Sequence, residues 1–238
     1  MRNKLVALIP ARSGSERLKN KNIKILNNKP LLAYSILAAK KTNLFEKIIV
    51  STDSVKYKNI ALKYGAEVPY LRKKMHSGSR SPDFYWVKDL LNYYEKNNYF
   101  FTHFFILRPT NPFRTHRTIV RAWKKFCKYK CDSLRAVEKI KQRPEKMWTL
   151  NRNFLSPYNK NLGKIKGQPF YNSQSKNFKK IYIQNASLEI SKLFVLKKYK
   201  SITGKKIIPF FTKKYEGFDI NDKQDFIEAK YLIKKIIF

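Results

Sequence analysis

Apolar residues in this chain fall into short unbroken runs, separated by stretches where they recur at helical spacing. Leu5 to Ile9 is such a run of strand length, and continuity of this kind predicts a parallel strand buried on both faces. A polar loop rich in Ser, Arg, Lys and Asn follows as far as Asn22. Pro30 then stands at a helix start, and Leu31, Leu32, Tyr34, Leu37 and Ala38 repeat at helical spacing to Thr42. Lys47 to Thr52 is a second buried strand. Ser54 can cap a helix that carries Ile60, Ala61 and Leu62 and stops at Gly65, and Glu67 to Leu71 is a short third strand. Ser81 and Pro82 open a helix through Trp86, Val87, Leu90, Leu91 and Tyr94, ahead of a strand over Thr102 to Leu107. A helix over Thr115 to Tyr129, with Thr115 as cap, and a strand over Ser133 to Val137 complete the regular part. Alternating strand and helix predicts an α/β fold with a mostly parallel sheet, whose ligands bind beyond the carboxyl ends of the strands. The loops after Ile9, Thr52 and Leu107 are therefore the places to look.

From Glu138 to about Ile190 the pattern turns irregular, with Pro144, Pro157, Gly163, Gly167 and Pro169 separating short pieces such as Lys179 to Gln184 and Ala186 to Ile190. This predicts an inserted β-rich arm within a single domain. Order returns with a helix over Ser191 to Lys197, a strand over Lys206 to Pro209, a loop over 217–221 and a closing helix over Asp222 to Ile237.

Composition narrows the classes. Hydrophobic residues make up 43% of the 238 positions and Gly and Pro are modest, so a core can be buried and low-complexity classes are excluded. Lys and Arg number 52 against 16 Asp and Glu, a formal charge of +36, which would hold polyanions through long-range attraction and counterion release. The cations are spread along the whole chain together with frequent Asn, Ile, Phe and Tyr, a pattern that compositional bias also produces. No RNA-binding fingerprint or helix-turn-helix pattern is present, so no specific nucleic-acid partner is expected. Cys127 and Cys131 have no partners at zinc-ligand spacing and are expected to be reduced thiols. The first apolar run meets Pro10 and Arg12 too early for a signal peptide, and no stretch approaches the roughly 18 uncharged apolar residues a membrane span needs. A cytoplasmic protein without a membrane partner is expected.

The loop Pro10-Ala11-Arg12-Ser13-Gly14-Ser15-Glu16-Arg17-Leu18-Lys19-Asn20-Lys21-Asn22 has the parts of a polyphosphate cradle. Gly14 and the small Ser13 and Ser15 let backbone N–H groups approach an anion, while Arg12, Arg17 and Lys21 neutralise it. It lacks the Gly-Lys-Ser/Thr ending of a Walker loop. By composition alone, a solvated basic loop has the same parts.

The order of the residues adds to this. Ile-Pro-Ala-Arg-x-Gly-Ser-x-Arg-Leu-x-x-Lys-Asn closely resembles the first motif of the sialic-acid-type cytidylyltransferases, which make CMP-activated nonulosonic acids. Ile49 to Ser54, with Ala61 and Tyr64 to Pro69 behind it, is a second match. Leu107-Arg108-Pro109-Thr110-Asn111-Pro112-Phe113-Arg114 is similar to the family's Leu-Gln-Pro-Thr-Ser-Pro-Leu-Arg. Glu216 to Asn221, followed by Asp225 and Phe226, resembles the Asp-Ile-Asp-x-x-x-Asp-Phe ending. The resemblance spans nearly the whole chain in the family's order.

It implies a three-layer, Rossmann-like nucleotidyltransferase fold with an inserted β-rich dimerisation arm, hence a homodimer. It also implies transfer of CMP from CTP to the anomeric hydroxyl of a sialic, legionaminic or pseudaminic type of acid, with release of pyrophosphate. The first loop, from Ala11 on, would grip the triphosphate, with Arg12 and Lys21 on the phosphates and Ser13, Gly14, Ser15 and Asn22 in nucleotide contact. Asp53 of the second motif joins this nucleotide set. Asp219 would be the principal ligand of Mg²⁺ or Mn²⁺, hard ions that favour oxygen donors. Gln184 and Asn185, in a segment like the family's Tyr-x-x-Asn-Gly, would meet the sugar together with Arg108, Thr110 and Arg143.

Three departures stand out. The family's second metal carboxylate is Asn221 here, which offers a carbonyl oxygen without charge; Asp222 either assists it or caps the last helix. Arg108 replaces Gln, which fits a different sugar acid or a salt bridge to its carboxylate. The stretch His76 to Ser81 replaces one rich in Asp and Thr, so Arg80 and Ser81 either face cytidine or simply enter a helix capped by Ser81. A Kdo-type synthetase shares the chemistry, but its Leu-Pro-Gly-Lys-Pro continuation is absent. A nucleotide-binding protein without turnover is the reading that Asn221 leaves open.

Overall fold

The computed structural model describes residues 3–140, 142–159, 161, 163–165, 167–174 and 179–236. They form two compact units, one of 1–137 with 184–238 and one of 138–183.

The larger unit is built on a six-stranded sheet. Its strands are β1 (Leu5–Pro10), β4 (Lys47–Ser51), β5 (His103–Ile106), β6 (Ser133–Lys139), β11 (Tyr182–Lys192) and β12 (Ile207–Phe211), in the order β12-β6-β11-β5-β1-β4. β1 runs parallel to β4 and β5, β12 runs parallel to β6, and β11 is antiparallel to β5. A two-residue hairpin, β2 (Ile25–Leu26) with β3 (Lys29–Pro30), follows the first loop.

Alternate residues of β1 point to opposite faces, and each face carries its own core. Leu5, Ala7 and Ile9 pack with α1 (Leu31–Lys40), α2 (Val55–Lys63) and α4 (His116–Lys128), whereas Val6 and Leu8 pack with α3 (Asp83–Lys96) and α5 (Phe194–Tyr199). The result is the expected three-layer α/β/α arrangement with a mostly parallel sheet. A third apolar cluster joins Leu18, Leu31, Phe113 and Ile220 to α6 (Lys223–Ile236), so both loops that flank the site are anchored on one helix.

Caps fall where sequence chemistry puts them. Ser54 accepts the N–H of Tyr57, and Thr115 forms a reciprocal box with Thr118. Other boundaries move. Glu67 makes only a single parallel bridge to Ile49, since Pro69 has no N–H with which to continue a ladder. The expected helix over Ser191 to Lys197 is strand as far as Lys192 and helix from Phe194, while the strand near Pro209 extends to Phe211 at the sheet edge. The expected end of the last helix, Ile237, lies outside the described residues.

The second unit closes at Ile183, short of the expected boundary near 190, because the segment 186–190 belongs to the central strand β11. It contains the hairpin of β7 (Trp148–Asn151) and β8 (Phe154–Pro157) and the short pair β9 (Lys164–Ile165) and β10 (Gln168–Pro169). The ring of Trp148 lies 4.6 Å from that of Tyr171.

Candidate active site

Because β1, β4 and β5 run parallel, the loops after Pro10, Ser51 and Ile106 leave the same edge of the sheet. The N–H of Ala11 donates to Ser51 at 2.9 Å, which splices the first two loops together. A fourth loop, 218–222, is brought in by the N–H of Ile220 on the carbonyl of Thr110 at 2.9 Å. Between them opens a cavity of about 630 Å³, lined among others by Arg12, Arg17, Lys21, Arg72 and Arg108.

The first loop is held from within. Arg12 Nη1 donates to the carbonyl of Gly14 at 2.8 Å, and buried Asn22 donates through Nδ2 to the carbonyl of Arg12 at 3.0 Å. The N–H of Ser15 is spent on Ser13, and that of Ser13 on Asp53. Of the loop expected to let backbone N–H groups approach an anion, the N–H groups of Ser13 and Ser15 are therefore engaged within the protein. Arg12, Arg17 and Lys21 bring the loop's cationic side chains to the cavity wall. Asp53 likewise faces Ser13 and is not part of the cavity wall.

Lys21 lines the cavity, and its ammonium lies 3.5 Å from the carbonyl of Asn221. Burial lowers its pKa; Arg17 and Arg12 push in the same direction, and the charge of Asp219 opposes them. Asp219 accepts from Asn221 Nδ2 at 3.2 Å through Oδ2, while its Oδ1 is shut away from water without a partner. A sheltered carboxylate oxygen lacking a donor suits a hard divalent cation such as Mg²⁺; Asp219 supplies one such oxygen just behind the cavity wall, and no group of three or more acids, His or Cys that could hold a metal ion stands together among the described residues. Asn221 spends its side-chain oxygen Oδ1 on Arg17 Nη2 at 3.1 Å, so as placed that oxygen faces Arg17, and the side-chain amide supports Asp219 through Nδ2. Asp222 caps α6: its Oδ1 accepts the N–H of Asp225, while Asp225 Oδ2 accepts those of Asn221 and Asp222.

At the other end of the cavity Arg108 Nη2 bridges Asp83 at 2.6 Å and Glu189 at 2.8 Å, and Arg135 pairs with the second oxygen of Glu189. Burial alone would raise the pKa of Asp83, but Arg108, a bond from the Trp86 indole and the charge of Arg72 together hold it below the usual range. Arg108 is thus a compensated cation, which weakens the expectation that it salt-bridges a substrate carboxylate. Arg72, buried, ties the end of β4 through Ser51 and covers the Trp86 ring at 4.7 Å. Burial pushes its pKa down to about 10.

Thr110 and Ser81 also line the cavity. Ser81 does not cap α3, since Pro82 takes the cap position and the Ser81 hydroxyl donates to Met75 at 3.5 Å; Arg80 is exposed and outside the wall. Gln184 is exposed, and Asn185 bonds Thr212 and the N–H of Ser187; neither lines the cavity. Arg143 belongs to the second unit, where it donates to the carbonyl of Lys179 at 3.0 Å. Sequence reasoning missed Asp83 and Arg72. Asp83 stands in the first turn of α3, where an acid looks like an ordinary response to the helix dipole, and one Arg among 52 basic residues carries no local mark.

Comparison with known proteins agrees with this geometry. Over 236 residues the chain is 31% identical to the post-translational flagellin modification protein B of Campylobacter coli, covering 98% of this chain and 96% of that one. It is 42% identical over 119 residues to the CMP-N,N'-diacetyllegionaminic acid synthase of Legionella pneumophila, a match spanning 50% of this chain and 51% of the relative. The solved structure of a CMP:2-keto-3-deoxy-manno-octonic acid synthetase complexed with CTP shares the fold, with a TM-score of 0.68 at 13% identity over 98% of this chain and all of that one. The family model for cytidylyltransferase matches residues 6–206, most of the larger unit and all of the smaller, and the chain belongs to the cytidylyltransferase family.

Proposed function

We propose that this protein transfers CMP from CTP to a nonulosonic acid of the sialic, legionaminic or pseudaminic type and releases pyrophosphate. The observation that carries this reading is the cavity at the carboxyl ends of the parallel strands, whose wall carries five cationic side chains, among them Arg12, Arg17 and Lys21 of the first loop, together with Asn221, which holds the Asp219 carboxylate. The names of the relatives supply the substrate classes.

In the reaction the anomeric hydroxyl attacks the α-phosphorus. A new O–P bond forms, the bond to the bridging oxygen of pyrophosphate breaks, and the hydroxyl proton is lost. Such a displacement needs in-line positioning and neutralisation of charge on the phosphoryl oxygens and leaving group. Arg12 and Lys21 would bind the triphosphate from the first loop, with Asn22 and Asp53 fixing the loop's shape. Asp219 would hold Mg²⁺ or Mn²⁺, which when bound supplies charge neutralisation at the α-phosphate and the pyrophosphate. Arg108 and Thr110, at the other end of the cavity, would meet the sugar acid.

The smaller unit would serve as a dimerisation arm, since its hairpin leaves Leu150, Phe154 and Leu155 exposed, an apolar surface suited to a second copy. No helix among the described residues is long and apolar enough to cross a membrane. The reaction itself would draw on CTP in the cytoplasm.

The test is pyrophosphate release from CTP with Mg²⁺, using neuraminic, legionaminic, pseudaminic and Kdo acids, with ATP, GTP and UTP as controls. Release with CTP and one nonulosonic acid is expected. Release with Kdo alone would move the protein to the other sugar class, and failure to bind CTP would overturn the reading.

A further inference from the structure

We propose that Arg17, seated on Asn221, is the second cation of this centre, so that one divalent ion at Asp219 suffices where a pair of carboxylates would otherwise share the metal. The inference deepens the cytidylyltransferase reading and rests on it.

Asn221 is used at both ends. Its oxygen accepts from Arg17 Nη2 at 3.1 Å, and its Nδ2 donates to the carboxylate of Asp219 at 3.2 Å and to its carbonyl at 3.3 Å. A guanidinium can only donate and a carboxylate is an acceptor, so the network itself fixes which end of the amide faces which neighbour. The amide cannot turn its oxygen toward an ion at Asp219 without giving up all three bonds. Asp222 and Asp225, the nearest acids in sequence, each commit one oxygen to capping α6. Asp219 keeps one oxygen, Oδ1, buried and unpartnered.

Arg17 has the complementary surplus. Only its Nη2 is engaged; Nε and Nη1 have no partner among the described residues, and the side chain lines the cavity beside Lys21. A planar fork anchored at one nitrogen and open at the others is suited to phosphate oxygens, and its charge does not depend on metal supply. The Asn in place of the second acid and the Arg that engages it thus form one device: the neutral amide cannot hold a second ion and instead aims a fixed cation at the same charge.

The test uses the full chain, with Mn²⁺ binding followed by electron paramagnetic resonance and binding of a methylene-bridged CTP analogue followed by calorimetry, neither of which requires turnover. One Mn²⁺ per chain is expected with the analogue bound. Asn221→Asp should bind Mn²⁺ at least about tenfold more tightly or take up a second ion, as an added carboxylate supplies a charged hard ligand. Arg17→Ala should keep Mn²⁺ affinity without nucleotide yet lose about tenfold or more in analogue affinity, with Arg17→Lys in between. Two Mn²⁺ per chain in the wild type, or unchanged analogue binding by Arg17→Ala, would overturn the proposal while leaving the cytidylyltransferase reading intact. Absence of analogue binding by the wild type would sink both together.

Discussion

Asp53 clasps Ser13 twice, accepting its N–H at 2.7 Å and its hydroxyl at 3.1 Å, across a gap between two strand ends that are far apart in sequence. The bond fixes the start of the cationic loop to the end of β4, one strand over from its own. Asp53→Ala should leave the fold intact but free the loop, which then loses conformational entropy when nucleotide binds. About a tenfold loss of CTP affinity, equal to roughly 1.4 kcal/mol, is expected in calorimetry. An unchanged affinity would mean that the loop is set by Asn22 alone.

Arg108 is the hinge of a charge network with Asp83 and Glu189. Arg108→Gln restores the residue type of the resembling family but leaves the Asp83 carboxylate without its cation. The loss should lower stability by about 3 kcal/mol in urea denaturation, as removal of one partner from a largely buried pair does. The pH dependence has a definite sign. Asp83 has a depressed native pKa, so its contribution is present above the unfolded value near 4 and disappears as pH falls through the native one. In the variant the Asp83 titration, followed by NMR, should move upward. A double change of Arg108 to Gln and Asp83 to Asn should recover part of the stability, because no unpaired charge then remains.

What the sequence disclosed depended on how local each cause was. β1, α1 and the caps at Ser54 and Thr115 follow from residues within one or two turns of each other, and they stand where the pattern puts them. β11 was broken into pieces because Asn185, Ser187 and Ser191 interrupt its apolar run. Two of these polar groups are satisfied by distant partners, Asn185 by Thr212 and Ser191 by Ser133 and the carbonyl of Ile202. Similarly, the motifs led to the loops that line the cavity, yet not to Asp83 or Arg72, whose roles exist only once α3 lies against the end of β4. Nor could spacing tell whether Asn221 faces a metal, since that depends on Arg17 arriving from the other end of the chain.

His103 lies in the core, edge-on to Trp123 and Phe126. Burial, helped by repulsion from Lys192, pushes its pKa down to about 4. The unfolded chain therefore takes up a proton near pH 6.5 that the folded chain refuses until about pH 4. Stability from this residue is complete above about pH 6.5 and falls steadily from there to about pH 4. His103→Gln should flatten that part of the stability profile in denaturation at a series of pH values. An unaltered slope would assign the acid sensitivity to other groups.

Arg114 is the strongest structural commitment near the site. It is 2% exposed and has no carboxylate partner among the described residues, and burial pushes its pKa down to about 9. Its Nη1 donates to the carbonyl of Ser187 and, at 3.3 Å, to that of Arg108, while Nη2 donates to the Ser35 hydroxyl. One guanidinium thus holds α1, β11 and the loop that carries Arg108 and Thr110. A buried cation costs desolvation, and only its fan of donors offsets that cost; a residue with fewer donors cannot span all three elements. Arg114→Lys keeps the charge but loses the fork, so it should destabilise by about 3 kcal/mol and loosen the loop. Arg114→Met removes charge and donors together, avoiding an unpaired buried ion while taking one donor from each of the three acceptors; the Arg108 carbonyl keeps the Ser35 hydroxyl and the N–H of Asn111. If the desolvated charge is the larger burden, the Met variant should be the more stable of the two in urea denaturation. Both variants should show faster amide exchange at Thr110 and Asn111 than the wild type, because the carbonyl of Arg108 has lost one of its three donors and the Ser35 hydroxyl, which also bonds it, has lost its own. Protection at those amides equal to the wild type would show that the Ile220 bond to Thr110 is enough to hold the loop.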